Sequence, residues 1–165
     1  MHPSLRKLTR LTLWLLLISM AGCQRSYTVG DLYRSNEGNG IVVTTDSTGA
    51  AQLILAVDEI ADRAWDSAMA LQDTAAQGWR LPTSEEMKTL YAARIALNEA
   101  LADRDMPKIF GSRTWYWTST PCSETHAYAW GPDGLKCYYK ENSSPLYRVR
   151  MVKVLGTIAD TNDAK

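Results

Sequence analysis

Apolar and polar positions along the 165-residue chain change period several times, and each change marks a predicted element. Residues 11–20 are apolar except for Thr12 and Ser19. Residues 41–45 are mostly β-branched and predict a strand; Asp46, Ser47, Thr48 and Gly49 predict a turn; residues 52–57 predict the returning strand of a hairpin. The spacing of Ala61, Ala64, Trp65, Ala68, Met69, Ala75 and Ala76 predicts an amphipathic helix, started by Asp58 or Asp62 and stopped by Gly78. Thr83 and Glu86 have the spacing of a capping box, which predicts a second helix carrying Met87, Leu90, Tyr91 and Ile95 inward. A further helical segment over residues 97–103 ends at Asp105, Met106 and Pro107. The last third is β-rich. A strand over residues 114–120 places Trp115 and Trp117 on one face and Tyr116 on the other. Two more strands, 126–130 and 135–139, flank a turn at Gly131, Pro132, Asp133 and Gly134. Residues 147–154 alternate over most of their length and read as one strand. The order hairpin, helix, helix, several strands predicts an α+β domain, and the absence of an internal repeat argues against a solenoid.

The apolar run of residues 11–20 follows Arg6, Lys7 and Arg10 and is too short to span a bilayer, which takes about 20 apolar residues. It reads as a cleaved export signal. The segment ends Met20-Ala21-Gly22-Cys23, which resembles the bacterial lipobox, with Met20 where Leu is usual. The resemblance implies lipidation at Cys23 and cleavage just before it; an ordinary secretory signal with a free Cys23 is the alternative. The predicted organisation is a lipoprotein signal peptide over residues 1–22, a tether and lead-in loop over 23–40, a folded domain over 41–155 and a flexible tail over 156–165. Such a protein belongs to the bacterial cell envelope, lipid-anchored, with the outer membrane the expected location, facing the periplasm or the surface.

Cleavage changes the charge. The full chain balances 18 Lys+Arg against 18 Asp+Glu, but the signal removes three basic residues and no acidic one, leaving 15 against 18 and a net charge of −3. Neither sum gives the basic field of a nucleic-acid binder. With Cys23 lipidated, Cys122 and Cys137 remain in an oxidising compartment. If the segments around the Gly131–Gly134 turn pair as a hairpin, these two could face each other across it, and a disulfide closing such a loop stabilises by about 3 kcal/mol. Two separate buried thiols are the other reading.

Several ordered motifs carry a family resemblance. Gly78-Trp79-Arg80-Leu81-Pro82-Thr83, Glu86, Leu90-Tyr91, Tyr116-Trp117-Thr118-Ser119-Thr120, Ala129-Trp130, Gly134 and Tyr147-Arg148-Val149-Arg150 together resemble the Lcl C-terminal-type domain of unknown function, found at the end of a bacterial collagen-like adhesin. This domain is close to the Fibrobacter major paralogous domain, which shares the Gly-Trp-Arg-Leu-Pro-Thr signature. The resemblance covers roughly residues 41–155. It implies a C-type-lectin-like fold related to the sulfatase-modifying factors, with two helices packed on small twisted antiparallel sheets. The signature residues read as structural. Trp79 is expected to plug the core between helices and sheet, and Pro82 to set the approach to the second helix. Arg80 and Arg150 are expected as buried donors to loop carbonyls or to a carboxylate such as Glu86. Trp117 and Trp130 match family positions and are expected in the core.

No chemistry follows directly. The calcium-binding motifs of sugar-binding lectins do not occur, and Asp160, Asn162 and Asp163 fall in the tail. The thiols of the formylglycine-generating reaction have no matching segment. Cys122, His126 and Cys137 make an incomplete zinc set. His126 is the one histidine left after cleavage, with no nucleophile motif beside it, and the phosphate- and dinucleotide-binding fingerprints are missing. No enzyme activity, cofactor or metal is therefore expected. What stands out is the aromatic usage of six Trp and eight Tyr against one Phe, with eight of these rings between Trp115 and Tyr147. Trp115, Tyr138 and Tyr139 are the candidate ligand-binding residues, since exposed rings of this kind stack on sugars or anchor protein partners. The expected function is a binding or adhesion module for a glycan or protein. A structural subunit of a surface assembly, or an enzyme with an unrecognised site, are the alternatives.

Overall fold

The computed structural model describes residues 25–36, 38–75, 78–141 and 146–156. The expected signal peptide, Cys23 and, apart from Gly156, the expected tail lie outside the described residues. Within them the chain is α+β and builds two antiparallel-rich sheets of five strands each.

The first sheet holds β1 (Leu32–Ser35), β2 (Gly38–Thr45), β3 (Ala51–Ala56), β5 (Trp79–Arg80) and β10 (Val152–Val154), in the order β1-β2-β3-β10-β5. Its β2–β3 hairpin is the one predicted. The Asp46 carboxylate fastens the turn by accepting from Thr48 N at 2.8 Å, Thr48 Oγ1 at 2.7 Å and Ala50 N at 3.0 Å. Ile41, Val42 and Val43 are all buried, across an irregular register between Val42 and Thr44. The expected lead-in loop contains β1 and the start of β2, so the sheet begins ahead of residue 41.

The second sheet holds β4 (Ile60–Arg63), β6 (Tyr116–Pro121), β7 (His126–Gly131), β8 (Gly134–Tyr139) and β9 (Tyr147–Val149), in the order β4-β9-β6-β7-β8. The β6–β9 pair is parallel. The predicted single strand over 147–154 is two strands in different sheets, with Arg150 and Met151 at the crossing.

The long helix expected between Asp58 and Gly78 does not form. Residues 60–63 are strand β4, paired with β9 through Ile60↔Val149 and Arg63↔Tyr147. Only α1 (Trp65–Met69) and α2 (Leu71–Thr74) are helical, and α1 starts at Ala64 without a side-chain cap. Tertiary pairing here overrides the helical preference of an alanine-rich segment. Ala64 and Ala68 are buried, whereas Ala61 is exposed.

Helix α3 (Ser84–Ala92) has the expected capping box: Glu86 N donates to Thr83 Oγ1 at 3.2 Å and Thr83 N to Glu86 Oε2 at 2.8 Å. The chain then breaks at Ala93 before α4 (Arg94–Ala102). The apolar stripe keeps its helical spacing across that break. Met87, Leu90, Leu97 and Leu101 are buried, but Tyr91 lies on the surface and Ile95, expected inward, is 66% exposed.

Strand β6 is buried on both faces. Tyr116 enters a cluster with Ile41, Leu55, Met87, Leu90 and Leu97, between the first sheet and α3–α4. Trp117 enters the cluster on the other side, with Ala68, Leu81, Ala127, Ala129 and Val149.

Candidate functional site

The aromatic residues of the second sheet form a ridge on its α1-facing side. Trp115 stacks on Tyr147 with ring centroids 5.7 Å apart and planes 29° apart. Tyr138 meets both edge-on, 5.1 Å from each, and Tyr147 reaches Trp117 at 4.8 Å. The neighbouring strand makes room for these rings. On β7 the residues beneath them are Ala127, Ala129 and Gly131. Trp115 lies so close over Gly131 that a Cβ there would fall 2.2 Å from the indole. Arg148 N donates to Trp115 O at 3.0 Å, which sets Tyr147 beside Trp115 across the parallel β6–β9 pair. Trp115, Tyr138 and Tyr147 are half-buried, each keeping part of its ring open to solvent. Burial, followed by the neighbouring Tyr138 phenol, holds the Tyr147 phenol above its ordinary range.

Cations border the ridge. The Lys136 ammonium lies 5.6 Å from the Trp115 ring and pairs with Asp133 at 2.8 Å. Lys140 lies 4.7 Å over Trp65, whose indole N–H donates to Thr118 O at 2.7 Å.

Tyr139 does not join Trp115 and Tyr138. It follows Tyr138 on a strand and so points to the opposite face. There it is 58% exposed, with the His126 ring 3.9 Å away. Cys137 shares that face and is joined to Cys122 in a disulfide. The ladder partner of Cys137 on β7 is Tyr128, and Cys122 sits in the bend after β6. The bond therefore passes over the end of β7 instead of joining facing positions of the β7–β8 hairpin. Tyr147 is the ridge residue that sequence reasoning missed: it stood in the aromatic crowd, but nothing local told that its ring covers Trp115.

The signature residues take mainly structural positions. Arg80 forms a two-pronged pair with Glu86, at 2.7 and 2.6 Å, and also donates to Leu81 O at 3.1 Å. Burial pushes the Glu86 carboxyl up, but bonds from Arg80 and Thr83 outweigh it and leave it below the ordinary glutamate value. Pro82 is buried just before the α3 cap, and its carbonyl accepts from Ser119 N at 2.8 Å. Trp79 closes the core from its margin and is not enclosed by it: half-buried on outer strand β5, it packs against the cluster around Trp117, with its indole against Gly38. Trp117 is fully buried and donates to Arg63 O at 2.8 Å. Trp130 is 9% exposed among Tyr91 and Phe110, and its buried indole N–H has no hydrogen-bond partner among the described residues.

Arg150 is fully buried and pairs with Glu59, not Glu86. It donates to Val57 O at 2.8 Å, to Pro107 O at 3.0 Å and to Glu59 Oε2 at 3.2 Å. Glu59, 8% exposed, also accepts from the Tyr116 hydroxyl at 2.5 Å and from Arg148. Burial, then the hydrogen bond to Glu59, hold the Tyr116 phenol far above its ordinary value. Sequence reading missed Glu59 because it fell beside a predicted helix.

Among the described residues, no three His, Cys, Asp or Glu side chains are grouped to hold a metal ion, and no helix is long and apolar enough to cross a membrane. Two open hollows, one by Tyr33, Asn36 and Leu155 and one by Val29, Glu99 and Arg104, lie away from the ridge. No family model matches the chain, and no curated protein matches it.

Proposed function

We propose that the protein is a lipid-anchored component of the bacterial cell envelope, and that its domain is a non-catalytic, C-type-lectin-like module that binds a glycan or protein ligand. The observation that carries this reading is the half-exposed ridge of Trp115, Tyr138 and Tyr147. Flat rings bring large contact area at low cost in side-chain entropy, and they stack on sugar rings or anchor a protein surface. The α+β architecture and the ordered Gly78–Thr83, Tyr116–Thr120 and Tyr147–Arg150 motifs support the lectin-like family resemblance. The Met20–Cys23 lipobox supports the anchor.

The test is a glycan array and an envelope pull-down with the mature chain, repeated with Trp115→Ala and Tyr138→Ala. Truncating a central ring in such a contact costs about 2 kcal/mol or more, roughly a thirtyfold loss of affinity. A ligand whose binding both variants retain in full would overturn the assignment of the ridge, and a mature chain lacking acyl groups at Cys23 would overturn the anchor.

A further inference from the structure

We infer that the domain lies against the phospholipid headgroups of the membrane that anchors it, through the Asp46–Gly49 turn, Arg25, Tyr27 and the neighbouring outer strand β1. The inference rests on the lipid-anchored reading above and adds an orientation to it. Tyr27 N donates to Gly49 O at 2.8 Å, and Ser26 packs so tightly on Gly49 that a Cβ there would fall 2.2 Å from its hydroxyl. Gly30 N and Asp31 O then pair with Val42, both at 2.9 Å. The fold thus takes hold of the chain at Tyr27, four residues beyond Cys23. Four residues reach about 14 Å at full extension, whereas a domain of this size is about 35 Å across. So short a link cannot carry the far side of the domain round to the bilayer; the surface around Tyr27 must face it.

The residues at that end suit the position. Arg25 is exposed, with its guanidinium 5.3 Å over the Tyr27 ring, and the Tyr27 and Tyr33 rings lie 5.5 Å apart. Tyrosine settles at the headgroup level, and arginine is drawn to lipid phosphate. Of the carboxylates on this side, Asp31 accepts from Thr28 N at 2.7 Å and from Thr28 Oγ1 at 3.0 Å, Asp46 holds its turn, and Glu99 and Asp103 share the hollow beside Val29 with Arg104. Strand β1 is the outermost of its sheet and carries the exposed Arg34. An outer strand is where foreign chains add to a sheet, and headgroups against it close that route. The aromatic ridge stands on β6, β8 and β9 of the other sheet and shares no strand with this face.

The experiment uses the full acylated protein in phosphatidylethanolamine–phosphatidylglycerol vesicles, with a fluorophore on Ser47→Cys or on Lys136→Cys. Quenching by headgroup-spin-labelled lipid is read for each, and mass spectrometry of the same sample reads the acyl groups on Cys23. The expected result is a loss of fluorescence at position 47 and its retention at position 136. Equal quenching at both, or stronger quenching at 136, with Cys23 acylated, overturns the orientation while leaving the anchor standing. An unmodified Cys23 overturns the anchor itself, and the orientation with it.

Discussion

Arg150 and Glu59 tie together two of the four points at which the chain changes sheets. The first of them, between β3 and β4, contains Val57 and Glu59; the last, between β9 and β10, contains Arg150. The guanidinium binds Val57 O and the Glu59 carboxylate, and Ala56 N donates to Met151 O at 2.8 Å alongside. One buried cation therefore bridges these two crossings. Removing one member of such a pair leaves the other charge buried without compensation. Glu59→Ala should destabilise the domain by about 3–5 kcal/mol, read as a lowered urea midpoint. A loss below 1 kcal/mol would show that the crossing is held by its backbone bonds alone.

The disulfide should act as a separate staple. Paired replacement of Cys122 and Cys137 by Ser should cost about 3 kcal/mol, in line with the loop it closes. The β7–β8 ladder should persist, since its register is set by six residue pairs and by the turn. Hydrogen exchange on β7 and β8, compared with and without reductant, checks this.

Glu86 predicts an acid limb. Its folded carboxyl sits below the ordinary glutamate value, so the unfolded chain takes up the proton first as pH falls. The stabilisation is complete above the ordinary glutamate range and is lost as pH falls through the lower folded value. Glu86→Gln should lower stability at neutral pH, where that contribution is complete, and flatten the profile in the acid window, with the slope of the neutral-to-alkaline part unchanged. An identical acid limb in the variant would remove Glu86 from the account.

Gly131→Ala should disturb the ridge selectively. The added Cβ meets Trp115 at 2.2 Å, so the indole must shift away from Tyr138 and Tyr147. Overpacking of this kind costs about 1–3 kcal/mol. The expected signs are a change in tryptophan emission and weaker ligand binding, with the far-ultraviolet spectrum unchanged.

Trp117 and Trp79 should differ. Trp117 is fully enclosed, so Trp117→Ala should cost about 3–5 kcal/mol. Trp79 is half-buried on an outer strand, and Trp79→Ala should cost clearly less. Thermal denaturation of both variants decides this, and equal losses would count against the placement of Trp79.

Features that local chemistry determines were legible in the sequence. The β-branched run at 41–45, the Thr83–Glu86 capping box and the turn at Pro132 and Asp133 each form for reasons contained within a few residues. The Arg80–Glu86 pair follows from the same cap. Features that depend on distant partners were not legible. The segment Ile60–Arg63 has little strand character of its own and is held as a strand by β9. The alternation over 147–154 is real, but it does not record that the strand changes sheets at Arg150. The ridge was half legible. Consecutive residues on a strand face opposite ways, so Tyr138 and Tyr139 could not share a patch. That Tyr147 replaces Tyr139 depends on a parallel pairing between β6 and β9 that no local pattern encodes.

The last strands close both sheets. β10 lies inside the first sheet between β3 and β5, and β9 lies inside the second between β4 and β6. A chain delivered N-terminus first therefore cannot complete either sheet until residues 147–154 have emerged. Release of the C-terminal segment becomes the event that commits the domain to its native state, and a chain stopped short of it is left with two sheets that each lack an inner strand.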